Sequence, residues 1–274
     1  MALPSFRRLR TPDVSAGGVN LVLAFGANAW RVVAPSMAPE SLADFTEVVG
    51  PDGHRAPATQ HDAWMWISGS APDVAWDHAR AAVRAVSDAA VLVAEQTGFP
   101  YHDGRDETGF VDGTANPPIR RAADVSLVPL GEVGEAGSHV LAMRWIHDLE
   151  AFHKLDVTEQ ERVIGRTKAS SNELSDTEKP PDAHIARVEL EVAGEELEIF
   201  RRSVPYGNVQ EHGLYFVAFS ADPSRFGRML ARMFGIDGVR DRLTDFSKPV
   251  SGGYYFAPSL NALRELGGPE ADLG

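Results

Sequence analysis

Val140-Leu141-Ala142-Met143-Arg144-Trp145-Ile146 is apolar at six of its seven positions and has no glycine or proline. It reads as a strand that resumes the chain's regular structure at Ser138. Working outward from it, Val157 to Gly165 predicts a helix with Thr158 as cap and Gly165 as stop. His184 to Val192 alternates and predicts a half-buried strand, as does Leu197 to Val204. Leu214 to Phe219 is a further apolar strand, Pro223 to Phe234 an amphipathic helix, and Gly253 to Ala257 a closing strand. In the other direction, Val19 to Phe25 and Ala63 to Ser68 predict strands, Pro72 to Val86 a helix capped by Asp73, and Ala89 to Gln96 another strand. A short helix is expected near Ser41 to Phe45. The pattern implies an α+β fold of two ferredoxin-like halves with antiparallel sheets. The expected division is 1–117, a connecting loop at 118–137, and 138–274.

Composition narrows the function. The chain has 274 residues, formal net charge -13 and no cysteine. The charge argues against a nucleic-acid partner, which would want clustered Lys and Arg. The lack of cysteine excludes disulfides, iron–sulfur clusters, Cys-ligated zinc and thiolate-ligated haem. No stretch is apolar for the length of a membrane span, and the Arg7-Arg8 pair has no long apolar run behind it, so a cytoplasmic protein is expected.

Tyr101 to Gly137 is rich in Gly, Asp, Pro and Asn and has no period. A segment of that length is a linker or carries function. Inside it lies Gly109-Phe110-Val111-Asp112-Gly113-Thr114-Ala115-Asn116-Pro117. The two glycines allow close approach of a ligand, although an Asp bonding its own turn is the more economical local reading of Asp112. His184 follows Pro180-Pro181 at the head of its predicted strand and could ligate a metal or be an ordinary edge residue. The nine histidines show no His-x-x-x-His or His-Glu-x-x-His spacing, so no multi-His metal site is signalled. In Phe200-Arg201-Arg202-Ser203-Val204-Pro205-Tyr206-Gly207, alternation puts Arg201 and Ser203 on one face.

Taken in order, these segments resemble the dye-decolourising peroxidases, and within them the bacterial intracellular subgroup that includes porphyrinogen peroxidases. The resemblance rests on the Gly109 to Pro117 run, Val163-Ile164-Gly165-Arg166-Thr167-Lys168, His184-Ile185-x-Arg187-Val188 and Arg201 to Gly207. It continues through His212-Gly213-Leu214-Tyr215-Phe216 and Phe246 to Ser259, and spans about Leu23 to Leu263. It implies one haem b per chain in the C-terminal half, in a paired ferredoxin-like, dimeric α/β barrel-like architecture. His184 would be the proximal ligand, Asp112 the distal acid–base, Arg201 the distal charge stabiliser and Ser203 a polar distal partner. Arg166 would shape the haem edge. The acceptor behind His184 is expected at Asp245 or among the acids of Glu189 to Glu198. The resemblance further implies hydrogen peroxide and a small organic reductant as partners, with dyes, phenols or porphyrinogens as substrates.

Assembly into a homo-oligomer, a dimer or larger, is expected. The alternatives are a haem-binding or iron-release protein without turnover, and a chlorite-dismutase-like enzyme, against which the Asp-containing Gly motif argues. Trp145, Tyr206, Tyr215, Tyr254 and Tyr255 could relay electrons, though packing is the ordinary role of such residues. The family's opening strand and helix are expected to be missing or replaced by Met1 to Gly18, leaving a sheet edge for a partner to cover. Gly267 to Gly274 shows no apolar docking peptide, so encapsulation is not expected.

Overall fold

The computed structural model describes residues 18–192 and 194–267. The expectations about the chain's opening segment and its C-terminal peptide fall largely outside them. The run that opened the reading is the centre of the molecule. Strand β5 (Ser138–His147) is longer at both ends than its apolar stretch. It pairs antiparallel with β10 (His212–Ser220) on one side, in register from Gly213 opposite Ile146 to Ser220 opposite His139. On the other side it pairs with β12 (Gly253–Ala257) and, towards its C-terminal end, with β11 (Ser247–Pro249). Strand β12 bonds to β1 (Asn20–Phe25), and β1 to β4 (Ala63–Ser68). Two short strands, β8 (Phe200–Arg201) and β9 (Val204–Gly207), pair with the outer side of β10. The result is one eight-stranded sheet, antiparallel at every pairing, whose main path runs β4-β1-β12-β5-β10-β8. The fold is α+β as expected, and the strands of both halves join in this sheet. Two small hairpins stand apart: β2 (Val48–Val49) with β3 (Arg55–Ala56), and β6 (Glu191–Val192) with β7 (Glu195–Glu196).

The pleat sorts β5 between two cores. Leu141, Met143 and Trp145 join Phe226, Leu230, Met233 and Phe234 of the helix Ser224–Met233 and its end. Val140 and Ala142 face the opposite way, into Val217, Phe219, Tyr255 and Trp64. That second face is concave. Trp64 on β4 donates its Nε1–H to the Tyr215 hydroxyl on β10 at 3.0 Å. In a flat sheet the four intervening strand steps would separate them by roughly 19 Å. The sheet therefore curls until its distant strands face one another, and Trp64 stacks on Tyr255 in the enclosed space.

Several predicted elements are corrected. His184–Val188 is a short helix, and only Glu191–Val192 of that run is strand. The alternation misled because Arg187, a polar position in the pattern, is buried and bonded to Asp237 and to the Arg232 carbonyl. Leu197 to Val204 is not continuous; it divides into β8 and β9 around Arg202 and Ser203. Ala89 to Gln96 forms no strand, and Val91, Leu92 and Val93 are exposed. Asp156, rather than Thr158, caps the helix Val157–Ile164 by accepting from Glu159 N, while Gly165 ends it at φ +93°. Asp73 lies in the first turn of Pro72–Ala85 without capping it. Near residues 35–45 the helical piece is a 3-10 turn at Pro35–Met37. The long Gly-rich segment holds an unexpected helix, Ile119–Ser126, started by Pro118 and packed through Ala122 and Val125.

The β5–β10 pairing leaves no room at Gly213. A Cβ there would lie 2.0 Å from the Trp145 carbonyl oxygen, and φ is +157°. Gly213→Ala is expected to destabilise the protein by about 3 kcal/mol or more, since the clash is with backbone in the middle of the sheet. Thermal unfolding of the variant checks this; an unchanged melting temperature would refute the register.

Candidate active site

The Gly109 to Pro117 loop is held as a compact hairpin. Asp106 N–H donates to Phe110 O at 3.0 Å and Asp112 N–H to Gly104 O at 2.9 Å. Gly109 and Gly113 have φ of +87° and +78°, conformations that side-chain-bearing residues rarely adopt. The Arg105 guanidinium ties the loop down by donating to Gly109 O and Lys168 O, both at 2.7 Å.

Asn116 fastens this loop to β8. Its side-chain amide donates to Arg201 O at 2.9 Å and its carbonyl accepts from Arg201 N–H at 2.8 Å. The sequence reading did not single out Asn116, although it stands in the quoted motif. The clamp brings the expected distal residues together. Burial pulls the Arg201 guanidinium below its ordinary pKa, and the nearby Asp112 carboxylate opposes that shift. Arg166 and Glu189 act on the same guanidinium, so Arg166 belongs to this neighbourhood. Arg166 donates to Ser171 O at 3.1 Å and to Glu189 at 3.4 Å. Ser203 stands just beyond β8, and its Oγ accepts from Val217 N–H at 3.4 Å.

His184 opens its helix with Nδ1 2.7 Å from Asp241 Oδ2. The Asp241 carboxylate is wholly buried and also accepts from Leu243 N–H at 2.9 Å. The partner of His184 is therefore Asp241. The sequence candidates are occupied elsewhere: Asp245 by Arg240, Glu189 by Arg166 and Glu198 by Arg121. An ionised Asp241 makes Nδ1 the donor and leaves Nε2 unprotonated on a neutral ring, which is the form that ligates a metal.

Asp106 connects the two groups of residues. Burial pushes its carboxyl up to about 6, against the hydrogen bonds from Thr108; Asp112 raises it further and His184 lowers it. Next to it, burial pushes Glu107 up to about 7. Neither carboxyl carried a sequence signal, because buried acids and solvated acids look alike in a chain. Among the aromatic residues considered as relays, Tyr206 donates to Trp145 O at 3.1 Å, Trp145 stacks on Phe234, and Tyr254 packs edge-on against Phe45.

The residues present fit a buried ligand that brings polar groups to them. Among the described residues, Arg201 Nε, Arg166 Nε and both Glu107 carboxylate oxygens are buried without a hydrogen-bond partner. Buried polar atoms rarely stay unpaired without cause. The described residues hold no cluster of three or more His, Asp or Glu that could bind a bare metal ion. No described helix is long and apolar enough to cross a membrane.

Asp106 supplies a stability test. Its raised pKa means that folding favours the protonated form, so its contribution is fully present below about pH 4 and is lost as pH rises through about 6. Asp106→Asn keeps an acceptor for Thr108 and removes the charge. Between pH 4 and 7 the apo-protein is expected to lose about 2 kcal/mol relative to this variant, at 1.36 kcal/mol per pKa unit. Parallel denaturant titrations at the two pH values measure the difference; equal pH dependence would refute it.

The chain matches the family described as Dyp-type peroxidase, N-terminal, over residues 12–100 and Dyp-type peroxidase, C-terminal, over residues 103–262. It is 38% identical over 251 residues to the dye-decolorizing peroxidase of Mycobacterium tuberculosis, covering 89% of this chain and 75% of that one. A haem-bound variant of DypB from Rhodococcus jostii RHA1 superposes with TM-score 0.90 at 33% identity, covering 97% of this chain and 91% of that one. The dye-decolorizing protein from V. cholerae gives TM-score 0.90 at 34% identity, covering 96% and 90% of the two chains. A curled antiparallel sheet, a histidine backed by a buried carboxylate and a glycine hairpin clamped to the Arg201 backbone thus occur in a chain that belongs to the Dyp-type peroxidase family.

Proposed function

We propose that this haem peroxidase binds haem b, one per chain, in its C-terminal half. In this reading His184 is the proximal ligand, Asp112 the distal acid–base, and Arg201 the distal charge stabiliser. The observation that carries it is the buried Arg201 Nε, which has no protein partner, within electrostatic reach of the Asp112 carboxylate. Simple haem retention needs no such desolvated cation beside a carboxylate.

Haem, when bound, supplies the redox centre that accepts two electron equivalents from an organic reductant after cleaving the peroxide O–O bond. The chain's residues do the rest. His184 offers Nε2 to the iron, and Asp241 holds the ring by its Nδ1–H and increases its basicity. The Asp112 carboxylate takes the proton from one oxygen of hydrogen peroxide and returns it to the other, which leaves as water. The Arg201 guanidinium favours the hydroperoxide anion and the charge that develops on the departing oxygen. With its Oγ lone pair used by Val217 N–H, Ser203 still has a hydroxyl hydrogen to donate on that side. Arg166, pinned by Glu189 and Ser171, offers its free Nε at the haem edge. Substrates in this reading are dyes, phenols or porphyrinogens, handled by a cytoplasmic homo-oligomer.

The assignment is tested on haem-loaded variants. His184→Ala is expected to lose the ferric His-ligated spectrum and at least about tenfold in haem affinity. Asp112→Ala and Arg201→Leu are expected to keep the Soret band and to react with hydrogen peroxide about 100-fold more slowly in stopped flow. An unchanged spectrum in His184→Ala would remove the ligand assignment. Unchanged peroxide rates in both distal variants would leave a haem-binding protein with another catalytic route.

A further inference from the structure

We propose that Arg240 is a positioning residue for His184, latched by Asp52 from the other half of the chain and acting through Asp241. The inference rests on the reading of His184 as the iron ligand. Asp241 begins the 3-10 turn that continues as Arg242–Asp245. The start of this turn is held by the His184 and Leu243 bonds to its carboxylate. Its far end, Asp245, is held by Arg240 Nη2 at 2.7 Å. Arg240 Nη1 donates to Asp241 O at 3.2 Å and also bonds Thr244 Oγ1, which in turn donates to Asp241 O at 2.6 Å. One guanidinium thus spans the whole turn that presents the His184 partner.

The third side of that guanidinium faces the β2–β3 hairpin. Arg240 Nε donates to Asp52 Oδ2 at 2.6 Å. His54 sits between the two carboxylates, with Nδ1 3.2 Å from Asp52 and Nε2 3.8 Å from Asp245. The hairpin is seated tightly: a Cβ on Gly50 would come within 2.2 Å of Phe234 O, and Phe234 bridges to Arg240 along the backbone. Asp241 N–H donates to Met233 O at 3.0 Å, which fixes the backbone on the opposite side. The β2–β3 hairpin contributes none of the proposed ligand or peroxide-side residues, yet by this contact it braces the carboxylate behind the proposed ligand. Without Arg240, Asp52 and Asp245 lose their shared cation, and the Asp245 end of the turn is no longer tied to Asp241. The carboxylate then keeps its Leu243 bond but sits on a turn that has lost its guanidinium brace, so its hold on His184 Nδ1 weakens and the ring loses part of its bias towards the Nδ1–H tautomer and of its added basicity.

The test uses both apo- and haem-loaded protein. Imidazole two-bond 1H–15N spectra of the apo-protein report the His184 tautomer, and spectroelectrochemistry of the haem-loaded protein reports the ferric/ferrous midpoint. Asp241→Asn is the reference: it is expected to reduce the Nδ1–H population, raise the midpoint and weaken haem binding about tenfold. Arg240→Ala and Asp52→Asn are expected to move all three in the same sense by less, with Arg240→Lys between Arg240→Ala and wild type. Arg240→Ala added to Asp241→Asn is expected to change nothing further. Wild-type tautomer and midpoint in Arg240→Ala and Asp52→Asn, against a shifted Asp241→Asn, would overturn the latch and leave the ligand assignment standing. A shifted tautomer with an unmoved midpoint in Asp241→Asn would remove His184 as ligand, and the latch with it. Asp52 is a half-exposed side chain, so its isosteric variant carries the test if Arg240→Ala does not fold.

Discussion

The pairing of β5 on both of its edges is the constraint from which the rest of the architecture follows. β10 occupies one side of β5, and β12 and β11 share the other. Through β12 the sheet continues into β1 and β4, so strands from the beginning and the end of the chain meet in one hydrogen-bonded surface. Because both faces of β5 are covered, a slip of one residue would exchange its two cores. The curl that brings Trp64 to Tyr215 depends on the same central strand.

The site is built on the margins of that sheet, where regular pairing fails. β8 lasts only for Phe200–Arg201, and the chain then breaks before β9. The break is where Asn116 attaches the glycine hairpin to the Arg201 backbone. The opposite group of residues has a similar origin. The His184 helix is five residues long and packs on the helix Ser224–Met233, while Asp241 comes from the turn that follows it. Short elements place charged groups where a long strand or helix would have buried backbone alone. The cost appears in the titration of the acids: burial lifts Asp106 to about 6 and Glu107 to about 7. Desolvated charge of this kind is tolerated where a site uses it.

Particular residues show how far the chain could be read on its own. Strands β1, β4, β5, β10 and β12 were legible because apolar runs of β-forming residues end at Gly, Asn, Asp or Pro. Their pairing order was not, since it depends on contacts between positions more than a hundred residues apart, such as Phe25 with Phe256. The His184 segment was read as a strand, whereas it is a short helix. Alternation cannot distinguish a solvent-facing arginine from one buried against a carboxylate, as Arg187 is against Asp237. Asp112, Arg201 and Ser203 were singled out by their motifs. Asn116 stood inside such a motif and went unremarked, because an amide that clamps a distant backbone looks like any other turn residue.

The sequence by itself determined the strand-forming segments, the exclusion of thiolate chemistry by the absence of cysteine, and the family, through an ordered set of motifs. Those properties are local or compositional and survive without knowing which segments touch. Only the tertiary structure decided that Asp241 stands behind His184, that Asp106 lies within electrostatic reach of both Asp112 and His184, and that Arg240 joins Asp52 to the turn beneath the histidine. The physical reason is the same in each case. A hydrogen bond or a desolvated charge is a property of two groups and the space between them, and the chain records the groups but not the space.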